Sequence, residues 1–174
     1  MKYCAFLRGV NVRGTNMKME EVCEVFRKAG MADIVSVLAS GNIIFSSDME
    51  AEMLKQLLEK AMADHFSYEA FLFIRSREET ETILTENPYE KNENLHSYVF
   101  IGNPGTEEVL ITAFENAVKA PEEAARIVNG NFYWQVPKGN TLGSSFGKIL
   151  GKKSLKERFT SRNISTFEKI LKKF

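Results

Sequence analysis

Two stretches of the chain spell the same turn and strand. Gly41-Asn42-Ile43-Ile44-Phe45 and Gly130-Asn131-Phe132-Tyr133-Trp134 match in character, and each follows a run that reads as a strand. The elements around them repeat in order. In the first half, residues 2–8 read as a strand and 17–29 as a helix stopped by Gly30. A hairpin then covers 34–39 and 42–46, a helix runs to about Asp64, and 68–75 form a strand. In the second half, 96–102 read as a strand and 106–119 as a helix. A hairpin turns at Asn129-Gly130 between 123–128 and 131–136. Short helical pieces at 144–151 and 154–158 precede a strand from Phe159 to Ser161, and a last helix begins near Ser165. Further echoes keep this order: Leu7-Arg8-Gly9 and Phe100-Ile101-Gly102 end the first strand of each half, and Ser76-Arg77 and Ser161-Arg162 each precede a helix. The pattern predicts an α+β protein of two ferredoxin-like βαββαβ pseudo-repeats with additional helices. The subdomains are expected at 1–88 and 95–174, joined by the polar segment Asn87 to Asn94.

Helix starts carry local signals. Ser47-Asp48-Met49-Glu50, Ser76-Arg77-Glu78-Glu79 and Ser165-x-x-Glu168 each fit a capping box, in which a hydroxyl and a carboxylate satisfy two open N–H groups. Asn16 is placed to cap the first helix.

The segment Arg8-Gly9-Val10-Asn11-Val12-Arg13-Gly14-Thr15-Asn16 joins a strand to a helix and combines two Gly with two Arg. Glycine lets backbone approach a ligand, and a helix start offers open N–H groups to an anion. Gly9 and Gly14 have the spacing of a phosphate-loop motif, but Thr15-Asn16 stands where that motif needs Lys and then Ser or Thr. Asn11 occupies the place of the middle glycine of a dinucleotide fingerprint, where a side chain crowds the pyrophosphate. Both nucleotide signatures therefore fail. An Arg-bearing turn suited to phosphate or carboxylate is left. The alternative is a plain tight turn.

Two other polar clusters have the same dual reading. Ser40-Gly41-Asn42 suits a ligand or an ordinary hairpin, and Thr160-Ser161-Arg162-Asn163 suits an anion or a helix cap. The expected ligand-binding set is Arg8, Asn11, Arg13, Ser40, Asn42, Arg162 and Asn163, forming a composite site. No catalytic residue can be assigned. His65 and His96 have no partner at metal-ligand spacing, and Cys4 and Cys23 supply neither a zinc set nor a disulfide framework. Neither a metal nor a cofactor is expected. No Gly-x-Ser-x-Gly elbow exists. Phe132-Tyr133-Trp134 could stack bases, but such residues belong more often to a core.

Net charge is zero but unevenly spread. Residues 138–174 hold ten Lys or Arg against Glu157 and Glu168, a net +8, and the rest of the chain carries −8. The asymmetry points to an anionic partner, a small molecule or a nucleic acid, or else to a basic tail screened by the acidic part. No apolar run is long enough to span a membrane, and no secretory signal is evident. A cytoplasmic protein with reduced thiols is expected.

Several motifs together resemble one family. Leu7-Arg8-Gly9-Val10-Asn11-Val12, Ser40-Gly41-Asn42-Ile43-Ile44-Phe45, Tyr133-Trp134-Gln135-Val136-Pro137, Ser144-Ser145-Phe146-Gly147-Lys148 and Thr160-Ser161-Arg162-Asn163 are similar to the signature of the bacterial DUF1697 domain, whose function is unknown. Arg13 stands where that family usually has Gly, and Ile164 where it usually has Trp. The resemblance implies an α+β fold of two related subdomains and no reaction, substrate or cofactor. Three functional classes remain open from sequence: a binder of an anionic ligand, an enzyme acting on a small phosphorylated or carboxylated substrate, and an interaction module that pairs through sheet edges.

Overall fold

The computed structural model describes residues 1–10, 17–155 and 157–174. Two compact units divide the chain. The first comprises Met1–Thr82 with Phe167–Phe174, and the second Ile83–Thr166.

The first unit opens with β1 (Lys2–Arg8), α1 (Met19–Lys28), β2 (Ala32–Val37), β3 (Asn42–Ser46), α2 (Ala51–Phe66) and β4 (Phe71–Ser76). Its strands form one antiparallel sheet in the order β2-β3-β1-β4. Alternation sends Tyr3, Ala5 and Leu7 of β1 to one face, where they pack with Ile43, Phe45, Leu72 and Ile74. Val22 and Phe26 of α1 and Leu54 and Leu58 of α2 join that cluster from helical spacings of four. Cys4, Phe6, Ile44 and Phe73 on the other face are buried as well, and Phe6 stacks on Phe167 at 5.4 Å. Burial on both faces explains why β1 is a continuous apolar run rather than an alternating one. The edge strand β2 is mostly exposed and breaks register between Ala32 and Val35, where Asp33 takes a φ of +49°. Such a bulge twists an edge away from further pairing.

The second unit repeats the scheme with β5 (Leu95–Gly102), α4 (Thr106–Glu115), β6 (Ala124–Val128), β7 (Asn131–Pro137), α5 (Ser145–Leu150), a 3-10 turn (Lys153–Leu155) and β8 (Phe159–Asn163). Its antiparallel sheet has the order β6-β7-β5-β8, which is the order of the first with each strand replaced by its counterpart. The β6–β7 hairpin turns at Asn129 and Gly130, both with positive φ, as a two-residue Asn-Gly turn requires. Phe132 and Trp134 sit in the core with Phe100, Phe114, Phe146 and Phe159. Tyr133 is fully buried, and its hydroxyl donates to the Ile83 carbonyl at 2.9 Å. The Trp134 indole N–H donates to Glu123 at 3.0 Å. These aromatics are core residues and offer no face to a base.

Two more helices, α3 (Arg77–Thr85) and α6 (Ile164–Leu171), complete the chain. Their starts test the capping signals. Ser76 forms the full reciprocal box: its hydroxyl accepts from the Glu79 N–H at 3.1 Å, and Glu79 accepts from the Ser76 N–H at 2.7 Å. Ser76→Ala is expected to cost about 1 kcal/mol in chemical denaturation, the usual worth of an N-cap, and no loss would show the box to be idle.

Two of the other capping expectations need correction, and the third falls on Asn16, outside the described residues. Ser47 does not cap α2; its hydroxyl accepts from the Met49 N–H in a local turn, and the helix begins at Ala51 behind an extended Glu50. The Met49 carbonyl is held by the Tyr3 hydroxyl at 3.0 Å, which keeps residues 47–50 out of the helix. Helix α1 begins at Met19 behind an extended Lys18 that makes no side-chain cap, and Asn16 lies outside the described residues. Helix α6 is capped by Asn163 rather than Ser165 because β8 runs on to Asn163 and leaves no gap before the helix. No helix among the described residues is long and apolar enough to cross a membrane.

Candidate functional site

Arg8 is the last residue of β1. Alternation puts it on the Phe6 face of the sheet, where its side chain is half-buried and burial lowers its pKa. The chain then turns at Gly9, which has a φ of +78°, and Val10 drops into the core. Because β3 lies beside β1, the β2–β3 turn meets this corner. The Leu7 N–H donates to the Gly41 carbonyl at 2.8 Å. A Cβ on Gly41 would lie 2.5 Å from Val10 Cγ2 and 2.9 Å from Leu7 Cβ, and the residue has a φ of +76°. Only glycine fits both the space and the conformation. Two of the three clusters singled out in the sequence are thus neighbours.

Asn42 has a structural task at this corner. It is fully buried, and its amide donates to the Val37 carbonyl at 2.8 Å and to the Ser40 hydroxyl at 3.0 Å. These bonds close the turn in which Leu38 adopts a φ of +61°. Ser40 itself is exposed. Asn11 and Arg13 lie outside the described residues.

The third cluster belongs to the second unit. Arg162 lies in β8 opposite Val99 and is 8% exposed. Its guanidinium donates to the Thr160 hydroxyl at 2.7 Å and the Ser161 carbonyl at 2.9 Å. Asn163 follows it on the strand and so points to the opposite face. Its Oδ1 accepts from the Ser165 N–H at 3.0 Å and the Ser165 hydroxyl at 2.9 Å. That fixes the amide orientation, so its Nδ2 donates to His96 Nδ1 across 3.0 Å. Neutral His96 then carries its proton on Nε2. Side chains expected to act together at one helix start are therefore divided between two faces of a strand.

Two polar contacts escaped the sequence reading. His96 meets Asn163 only because β5 pairs with β8, which no local pattern reveals. Arg75 of β4 lies across from Cys4 and donates to the Ile74 carbonyl at 2.9 Å. Burial lowers its pKa, opposed by Glu79. The only signal for it was a lone Arg in the run Phe71-Leu72-Phe73-Ile74. Among the described residues no group of three or more His, Cys, Asp or Glu could hold a metal ion.

The family model described as "Protein of unknown function (DUF1697)" matches residues 1–133. No curated protein matches the chain. Among solved structures, the conserved bacterial protein SP0830 from Streptococcus pneumoniae is similar in fold, with a TM-score of 0.78 at 24% sequence identity. The match covers 99% of this chain and 97% of that one.

Proposed function

The chain belongs to the DUF1697 family, and we propose that it binds a small anionic ligand, phosphorylated or carboxylated, at the corner where β1 ends. One observation carries the reading: the Arg8–Val10 turn and the Ser40–Asn42 turn adjoin, with a half-buried arginine at their junction. An anion beside Arg8 would gain charge-assisted hydrogen bonds from its half-buried guanidinium. The glycines let backbone come close, and Ser40 offers an exposed hydroxyl. Asn11 and Arg13 fall on the same connection in sequence and join the proposed contacts. Asn42 acts by holding the turn. Arg162 and Asn163, on opposite faces of β8, are left to their contacts with Thr160, Ser161, Ser165 and His96. The free thiols of Cys4 and Cys23 support a cytoplasmic setting for this function.

A thermal-shift screen of nucleotides, sugar phosphates and organic acids tests it. A ligand present at a hundred times its Kd should stabilise the protein by about 2.7 kcal/mol. Arg8→Ala should weaken that ligand roughly tenfold or more, as loss of a charged hydrogen bond does. An undiminished shift in the Arg8→Ala protein would sink the assignment.

A further inference from the structure

We propose that the second unit binds the phosphate backbone of a nucleic acid through residues 148–158. This proposal does not rest on the Arg8 site, which lies in the other unit.

The segment is anchored from within. Phe146 just before it is fully buried, Leu155 is buried inside it, and Phe159 is buried just after it. Ser144 caps α5 by accepting from the Gly147 N–H at 2.9 Å. Gly147 lies so close to the Thr141 carbonyl that a Cβ would stand 1.8 Å from its oxygen. At the far end the Arg158 carbonyl accepts from the Asn103 N–H at 2.9 Å and from the Thr106 hydroxyl at 3.3 Å. Every apolar and backbone tie thus points inward.

The exposed positions of the segment are mostly cationic, with Gly151, Ser154 and Glu157 among them. Lys148, Lys152, Lys153 and Arg158 are all exposed. None of the four takes part in an ion pair among the described residues. Neither Glu157 in the segment nor Glu107 or Glu108 in the first turn of α4 forms an ion pair with them among the described residues. The sequence adds Lys156 to the same run. Charges of one sign on a tethered segment repel one another, and a row of phosphates relieves that repulsion while releasing its own counterions. A single small anion could neutralise only part of such a run, whereas a polymer with a charge at every nucleotide can meet all of it.

The test is fluorescence anisotropy of the full chain with labelled duplex DNA and labelled single-stranded RNA across a salt series. Four neutralised phosphates predict a log–log salt slope of about −3.6 on duplex DNA, which is roughly a hundredfold loss between 50 and 200 mM salt. The K148E/K152E/K153E protein should lose binding to either polymer, and Lys28→Glu on α1 should not. Single Lys→Gln variants, which leave the core untouched, should each lower the slope by about one. Absence of binding to both polymers at low salt would overturn the proposal. So would an unchanged slope in all three Lys→Gln proteins, or equally tight binding of a poly-glutamate peptide. An Arg8→Ala protein should bind the polymers normally, which separates this outcome from that of the small-anion site.

Discussion

Replacing Phe146 by Ala should lower the unfolding free energy by about 3–5 kcal/mol, the range for deleting a buried aromatic ring. The side chain is fully buried, and its ring centre lies 5.1 Å from Trp134, 5.3 Å from Phe114, 5.7 Å from Phe132 and 6.4 Å from Phe100. Truncation removes the apolar burial and leaves a void, because rings held by strands on one side and a helix on the other cannot all close inward. Trp134 is the only tryptophan, so urea denaturation followed by its fluorescence reads the very site that is altered. Phe146→Leu should lose clearly less, since most of the volume is kept. A loss below about 1 kcal/mol for the Ala variant would mean that this cluster is loosely packed.

Gly41→Ala is the second large effect. The left-handed backbone costs about 1–2 kcal/mol for a residue with a Cβ. The methyl group would also press on Val10 and on Leu7, both buried, and crowding of that kind adds about 1–3 kcal/mol. Gly130→Ala supplies the comparison: its φ is +78°, yet nothing lies within 4 Å of the added carbon. It should pay the backbone part alone. The difference between the two variants in chemical denaturation isolates the close approach of the two turns. Equal losses would show that the Gly41 corner yields to a methyl group.

Much of this fold was legible because its signals are local and redundant. Alternation and helical spacing mark β1, α1 and the two hairpins, and the Asn129-Gly130 pair states its turn type outright. The misreadings share a cause. Ser47, Ser76 and Ser165 all precede a Glu by three residues, but only Ser76 is itself the last residue of a strand that runs into a helix. At Ser47 a contact from distant Tyr3 holds the backbone extended, and at Ser165 the strand continues until Asn163 takes the capping position. Such outcomes depend on which strands lie side by side. The same holds for the candidate site. The glycine and arginine content of the first turn could be read from the chain, but its adjacency to Gly41 follows from β3 pairing with β1. The contact of Asn163 with His96 follows from β8 pairing with β5. Asn42 shows the limit of composition: the residue type suits a ligand, and burial assigns it to the turn.

The stacking of Phe6 on Phe167 has a consequence for how the protein is made. Synthesis delivers residues 1–82 first, yet the partner for the Phe6 ring is added only after the whole second unit has been translated. A nascent chain can close the helix-covered side of its first sheet early, but the Phe6 side stays without that aromatic lid throughout the intervening elongation. Through that interval the Phe6 ring lacks the stacking partner that Phe167 supplies.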